Sequence, residues 1–132
     1  MISPQDGFNG IYIVNEAAVF DGGFDDKGRE RGDAQGRTYL SHENDNIVEA
    51  DIVINGTMNF FNDVDPQGSD RAKVDIVSLM MHEFTHALGI EHIEHDEVDG
   101  IAINSLMASM LGDGVVRREI GDILVESLSC EY

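Results

Sequence analysis

Residues Val74 to His92 read VDIVSLMMHEFTHALGIEH, and within them His82, Glu83, His86, Gly89 and His92 stand in the order H-E-x-x-H-x-x-G-x-x-H. Positions four apart share one face of an α-helix, so His82 and His86 can turn their imidazoles toward a single metal ion. Glu83, one residue on, is rotated about 100° around the helix. It can stand beside the metal without ligating it, where a general base takes a proton from a metal-bound water. Gly89 lets the chain leave the helix through a left-handed conformation that a Cβ resists, and the turn brings His92 back as a third nitrogen ligand. Three protein ligands leave one position of a tetrahedral zinc for water, the catalytic arrangement, whereas structural zinc sites fill all four. A bare H-E-x-x-H arises by chance in many proteins. A glycine and a third histidine at fixed offsets make coincidence improbable.

The neighbours of these residues predict the helix. Asp75 is placed as its N-cap, with the helix running to about Leu88. Ile76, Val77, Leu79, Met80, Phe84, Ala87 and Leu88 surround the ligands, the composition of a helix buried in a domain core.

The eleven-residue signature, followed by a methionine in a turn, resembles that of the metzincin zinc peptidases. The methionine is Met107, in Asn104-Ser105-Leu106-Met107-Ala108-Ser109. The likeness is nearest to the matrixin-like branch with its bacterial members, in which a strand reading like Val48 to Asn55 precedes the active-site helix. In that branch a segment like Leu106-Met107-Ala108, with a downstream Gly-Val-x-Arg (here Gly114 to Arg117), follows the helix. The resemblance covers roughly Gly36 to Leu128, and only the helix signature is highly specific. It implies an α+β zincin-like fold: a small twisted mixed sheet, a central active-site helix and a C-terminal helix. Residues 1–132 would form a single catalytic domain, with an N-terminal subdomain over 1–92 and a small C-terminal subdomain over 93–132. The family normally places a strand and a long helix before the strand read here at Ile11 to Val14, and residues 1–10 cannot supply them.

The resemblance also implies roles. Met107 would form a floor beneath the ligands by packing. Ala108 to Leu111, Ala108 and Ser109 first among them, would shape the pocket for the side chain after the cleaved bond. Thr57, Met58, Asn59 and Phe60, read as part of a strand from Thr57 to Phe61, would pair with an extended peptide substrate at a sheet edge. Where some metzincins carry a helper tyrosine, two residues past the turn methionine, this chain has Ser109. Fourteen residues separate His92 from Met107, a modest insertion relative to compact matrixins. Export from the cell is the localisation the likeness implies.

Composition narrows the partners. The 132 residues suit one domain, and 42% are hydrophobic, enough for a core. No run of eighteen apolar residues reads as a membrane span, and Met1 to Gly7 has the features of no signal peptide. The 26 Asp and Glu against 8 Lys and Arg give a formal charge of −18. That argues against nucleic acid and anionic membranes as partners. It fits a solvated acidic surface, structural calcium sites, or a taste for basic substrates. The one cysteine, Cys130, excludes an internal disulfide and reads as an incidental thiol.

Along the chain, Ile11 to Val14 reads as a short buried strand. Asp21 to Arg37 reads as a glycine-rich loop whose Asp21, Asp25, Asp26 and Asp33 lack the regular spacing of a calcium site. Thr38 to Ser41 reads as a short strand. Ile47 to Asn55 is the clearest strand, with Val48, Ala50, Ile52 and Ile54 forming an apolar face for the core. His42 is placed in the connection between these two strands, as a surface residue. Asn62 to Lys73 reads as a loop, in which Asp63, Asp65, Gln67, Gly68 and Asp70 resemble part of a calcium loop without its final glutamate. His95 follows the signature but lacks its spacing. Val116 to Leu128 reads as a C-terminal helix with Ile120, Ile123, Leu124 and Leu128 in one stripe.

The expected function is zinc-dependent endopeptidase action on a peptide or protein substrate by a monomer, with His82, His86 and His92 on the zinc and Glu83 as base. The alternative is a non-catalytic zinc- or calcium-binding metzincin-like module, or a truncated inactive fragment of a longer protein.

Overall fold

The computed structural model describes residues 6–23, 26–29 and 32–132. The chain is α+β, with small sheets and two α-helices among the described residues, and it divides into two compact units, Met1–Asn59 and Phe60–Tyr132.

In the first unit, β1 (Ile11–Val14), β2 (Gly36–Glu43) and β3 (Asn46–Asn55) form a mixed sheet in the order β1-β3-β2. β2 and β3 are a hairpin. Asn44 and Asp45 turn it with φ of 49° and 67°, the left-handed pair whose twist matches the flanking strands. β2 is longer than the expected Thr38 to Ser41, since Arg37 pairs with Val53 and His42 with Ile47. His42 therefore lies in a strand rather than a connection, and it is exposed. β1 is the strand expected, parallel to β3 with Ile11 opposite Ile52. It is not buried, however: Ile11 and Ile13 are 54% and 73% exposed, because a four-residue apolar run does not distinguish an edge from a centre.

β3 departs from simple alternation. Ile52 and Ile54 are buried as expected, but Val48 is 51% exposed while Glu49 and Asp51, on the opposite face, are buried. The physical reason is hydrogen bonding. Glu49 Oε1 accepts from the Asp6 amide at 3.0 Å and Asp51 Oδ1 from the Gly10 amide at 2.8 Å. Buried carboxylates are tolerable when they are so satisfied. The segment 6–10 that supplies these amides contains neither helix nor strand. After β3 the chain turns: Asn55 Oδ1 accepts from the amide and hydroxyl of Thr57 at 3.1 and 2.6 Å. The strand expected over Thr57 to Phe61 is thus cut to its last two residues.

In the second unit, those two residues are β4 (Phe60–Phe61), parallel to β5 (Val74–Asp75). Phe61 is core and Phe60 half-buried. Between β4 and β5 the chain makes a single 3₁₀ turn over Gly68–Ala72. α1 (Ile76–Ala87) follows, and a hairpin of β6 (His95–Val98) and β7 (Ile101–Asn104) turns through Asp99 and Gly100 at φ 51° and 76°. α2 (Asp122–Glu131) closes the unit.

α2 corrects the expected Val116 to Leu128 helix. Its first turn is capped by Asp96 of β6, whose carboxylate accepts from the Ile123 and Leu124 amides at 2.8 and 3.2 Å. The cap therefore comes from a distant strand, because Gly121 at the N-cap has no side chain to give. A Cβ on Gly121 would lie 2.1 Å from that carboxylate. Leu124 is fully buried and Leu128 packs beside it, but Ile120 and Ile123, expected on the same stripe, are half-exposed. The core joins Leu124 to Ile90, Leu106 and Met107, with Met81, Ile93 and Leu128 against it. No helix among the described residues is long and apolar enough to cross a membrane.

Candidate metal centre

α1 starts where the sequence places it. The Asp75 carboxylate accepts from the Ser78 amide at 3.2 Å and from the Ser78 hydroxyl, a side-chain N-cap. The same carboxylate is gripped by Arg118 through Nε at 2.8 Å and a terminal nitrogen at 2.6 Å. Burial pushes the Asp75 carboxyl up, but hydrogen bonds from Arg118 and Ser78 outweigh it and hold the group below its usual value. The neighbouring Arg117 donates its amide to Ser78 Oγ at 2.7 Å and its guanidinium to the Met110 carbonyl at 2.6 Å. Two adjacent arginines thus tie the segment after Met107 to the first turn of α1.

The helix ends as Gly89 requires. Gly89 has φ +88°, the Gly89 amide reaches the His86 carbonyl at 2.8 Å, and the Ile90 amide reaches Thr85 at 3.3 Å. This is the Schellman closure, which satisfies the last carbonyls of a helix. It also aims the Ile90 carbonyl back at the helix, where His86 Nδ1 meets it at 2.7 Å. His82 Nδ1 meets the Leu106 carbonyl at 2.9 Å. A carbonyl oxygen only accepts, so in the neutral imidazoles both Nδ1 atoms carry the proton and both Nε2 atoms are bare lone pairs.

Those Nε2 atoms converge. His86 Nε2 lies 3.0 Å from His82 Nε2 and 3.2 Å from His92 Nε2. Lone pairs held this close without a proton between them repel, and a cation between them removes the repulsion. Two nitrogens on a tetrahedral zinc, each about 2.0–2.1 Å from it, stand about 3.3 Å apart. The donor set fits a metal: His82, His86 and His92 can hold one ion, and among the described residues they are the one such group of histidine, cysteine or acidic side chains. Burial lowers the His82 imidazole to about 4, with help from His86, His92 and Arg117 and against the pull of the Leu106 carbonyl. Burial, then His86, also lowers His92, which Glu94 and Glu91 partly counter. Neutral imidazole is the form that ligates.

The other predicted residues fall into place unevenly. Glu83 is buried, next to His82 in α1. Met107 is fully buried in a turn closed by the Ala108 amide on the Ser105 carbonyl at 3.1 Å, and the residue before it supplies the carbonyl under His82. Ala108 is buried and Ser109 exposed, the Ser109 amide held by Glu94 Oε1 at 3.1 Å. Hydrogen bonds from Ser109, opposed by slight burial, keep Glu94 below its usual range. His95 lies exposed in β6, outside the triad. Thr57 and Met58 lie in the turn after β3 and Asn59 just beyond it, not in a strand. α1 is not enclosed all round as expected: Leu79 is buried, but Phe84 and Leu88 are 49% and 43% exposed. Asp25 lies outside the described residues. Asp63 caps its own turn through the Asp65 amide at 3.3 Å, and Asp70 pairs with Lys73 at 2.8 Å.

Sequence reading missed the partners that hold the ligands. The carbonyls of Ile90 and Leu106 carry no residue-type signal. Asp96 and its hairpin did carry one, the Asp99-Gly100 pair between short runs with apolar residues. No family model matches the chain, and no curated protein matches it in sequence.

Proposed function

We propose that the chain is a zinc-dependent endopeptidase of the metzincin kind. The observation that carries this reading is the convergence of three Nε2 lone pairs, two of them fixed by backbone carbonyls, on a helix whose next residue is a buried glutamate. Zinc bound there would supply Lewis acidity, polarising a scissile carbonyl and drawing the pKa of a water toward neutrality. His82, His86 and His92 would hold the ion. Glu83 takes a proton from the attacking water and returns it to the leaving amine. No covalent intermediate is needed, so no serine or cysteine serves as nucleophile. Phe60 and the short β4 offer backbone to an extended peptide, and Ala108 with Ser109 borders the side chain beyond the cleaved bond.

The test is hydrolysis of a mixed fluorogenic peptide library by the zinc-loaded chain with Glu83→Gln alongside. The expected result is cleavage that falls by about 10²–10⁴-fold in the variant while zinc content and circular dichroism stay unchanged. A folded, zinc-bearing wild type that cleaves nothing would leave a metal-binding module.

A further inference from the structure

An open groove of about 590 Å³ lies beside the metal centre, with His92 in its wall. One side is the chain leaving α1, from Gly89 to Ile93; the other is a stripe of α2 formed by Ile123, Glu126, Ser127, Cys130 and Glu131. The stripe follows the helical repeat of three and four residues, so these side chains share one face. The adjoining face of α2, through Leu124 and Leu128, is the one that packs in the core. The exposed α2 residues of the groove wall, Glu126, Cys130 and Glu131, take no part in that core, and they are not the mixed charges of an ordinary solvated face. The groove's ionisable members besides His92 and Cys130 are the carboxylates Glu91, Glu126 and Glu131, and no lysine or arginine lines the groove. The apolar part of the lining comes from Ile90, Ile93 and Ile123.

We propose that this groove binds a lysine or arginine side chain of the peptide substrate, an inference that rests on the peptidase reading above. The chemistry matches in two parts. The aliphatic stem of such a side chain lies along apolar surface while its charged head stays at a polar rim, and Ile93 and Ile123 line the same groove as Glu126 and Glu131. A cleft lined by one sign of charge also concentrates the opposite sign, and the chain's formal −18 adds to the attraction. Because His92 belongs to both the groove and the metal triad, a side chain held here belongs to a residue close to the bond being cut.

The test compares blocked peptides that differ only in carrying lysine or norleucine at one position, scanned across the cleaved bond. The wild type is expected to favour lysine at one subsite by roughly threefold to tenfold in kcat/KM, with the ratio falling toward one in Glu126→Gln/Glu131→Gln and in high salt. Equal turnover of the twins by the wild type, or a preference that survives the double variant, overturns the proposal. If no peptide is cleaved, the peptidase reading fails first, and Cys130 gives an independent readout of the groove. Iodoacetamide alkylation of Cys130 that the lysine peptide slows more than its norleucine twin supports the groove. Identical slowing by both overturns it.

Discussion

At the scale of single residues, the centre depends on which atoms are left with lone pairs, and that follows from backbone partners more than from the histidines. The pattern His82, Glu83, His86, Gly89, His92 was legible because helix geometry fixes which side chains meet. The carbonyls of Leu106 and Ile90 that fix the two rings were not, since any residue has a carbonyl. Protonation follows from the same geometry. His82 is lowered to about 4 in the folded chain from an ordinary 6.5. Between those values the unfolded chain binds a proton that the folded one refuses, so stability falls as pH drops from 6.5 toward 4. Metal-free protein is therefore expected to lose stability through this window, and His82→Phe to flatten the loss in urea titrations at stepped pH. Asp75 is depressed as well, so its contribution disappears at still lower pH. Asp75→Asn leaves Arg118 without its carboxylate and weakens the cap, and is expected to cost about 3 kcal/mol, read from the urea midpoint at constant slope.

At the scale of elements, patterns of period two and 3.6 located the strands and helices but misjudged what covers them. β3 shows why: an apolar alternation marks Ile52 and Ile54 for the core, but it gives no sign that Glu49 and Asp51 on the other face are buried too, held by the amides of Asp6 and Gly10. α2 shows the same failure at a boundary. Its start is set by Asp96, more than twenty residues away in sequence, so the apolar stripe read from Val116 onward pointed to the wrong first turn. Two glycines test this reading. Gly121→Ala places a methyl against the Asp96 carboxylate and is expected to cost about 1–3 kcal/mol by overpacking. Gly89→Ala forces a Cβ into the left-handed region, at about 1–2 kcal/mol. It should also weaken zinc binding, because the same turn aims the Ile90 carbonyl at His86. Gly121→Ala should spare zinc affinity by comparison, a difference that competition with a chromophoric chelator would read directly.

At the scale of the whole molecule, the triad and the elements that hold it lie within one unit. The triad, the Met107 turn and both helices all lie in Phe60–Tyr132. Zinc that binds the folded chain and not the unfolded one stabilises it, by about 2.7 kcal/mol at a hundred times Kd. Chelation is expected to speed amide hydrogen exchange in α1 and the Leu106–Met107 turn while β1, β2 and β3 keep their rates. Uniformly faster exchange would mean that the two units do not respond separately. X-ray absorption at the zinc edge of the chain loaded with one equivalent separates an open three-histidine site from a closed one. Three imidazole nitrogens and one light atom are expected, with a sulfur appearing at about 2.3 Å when a small thiol is added. Four protein ligands unmoved by the thiol would make the site a closed structural one and rule out an open triad.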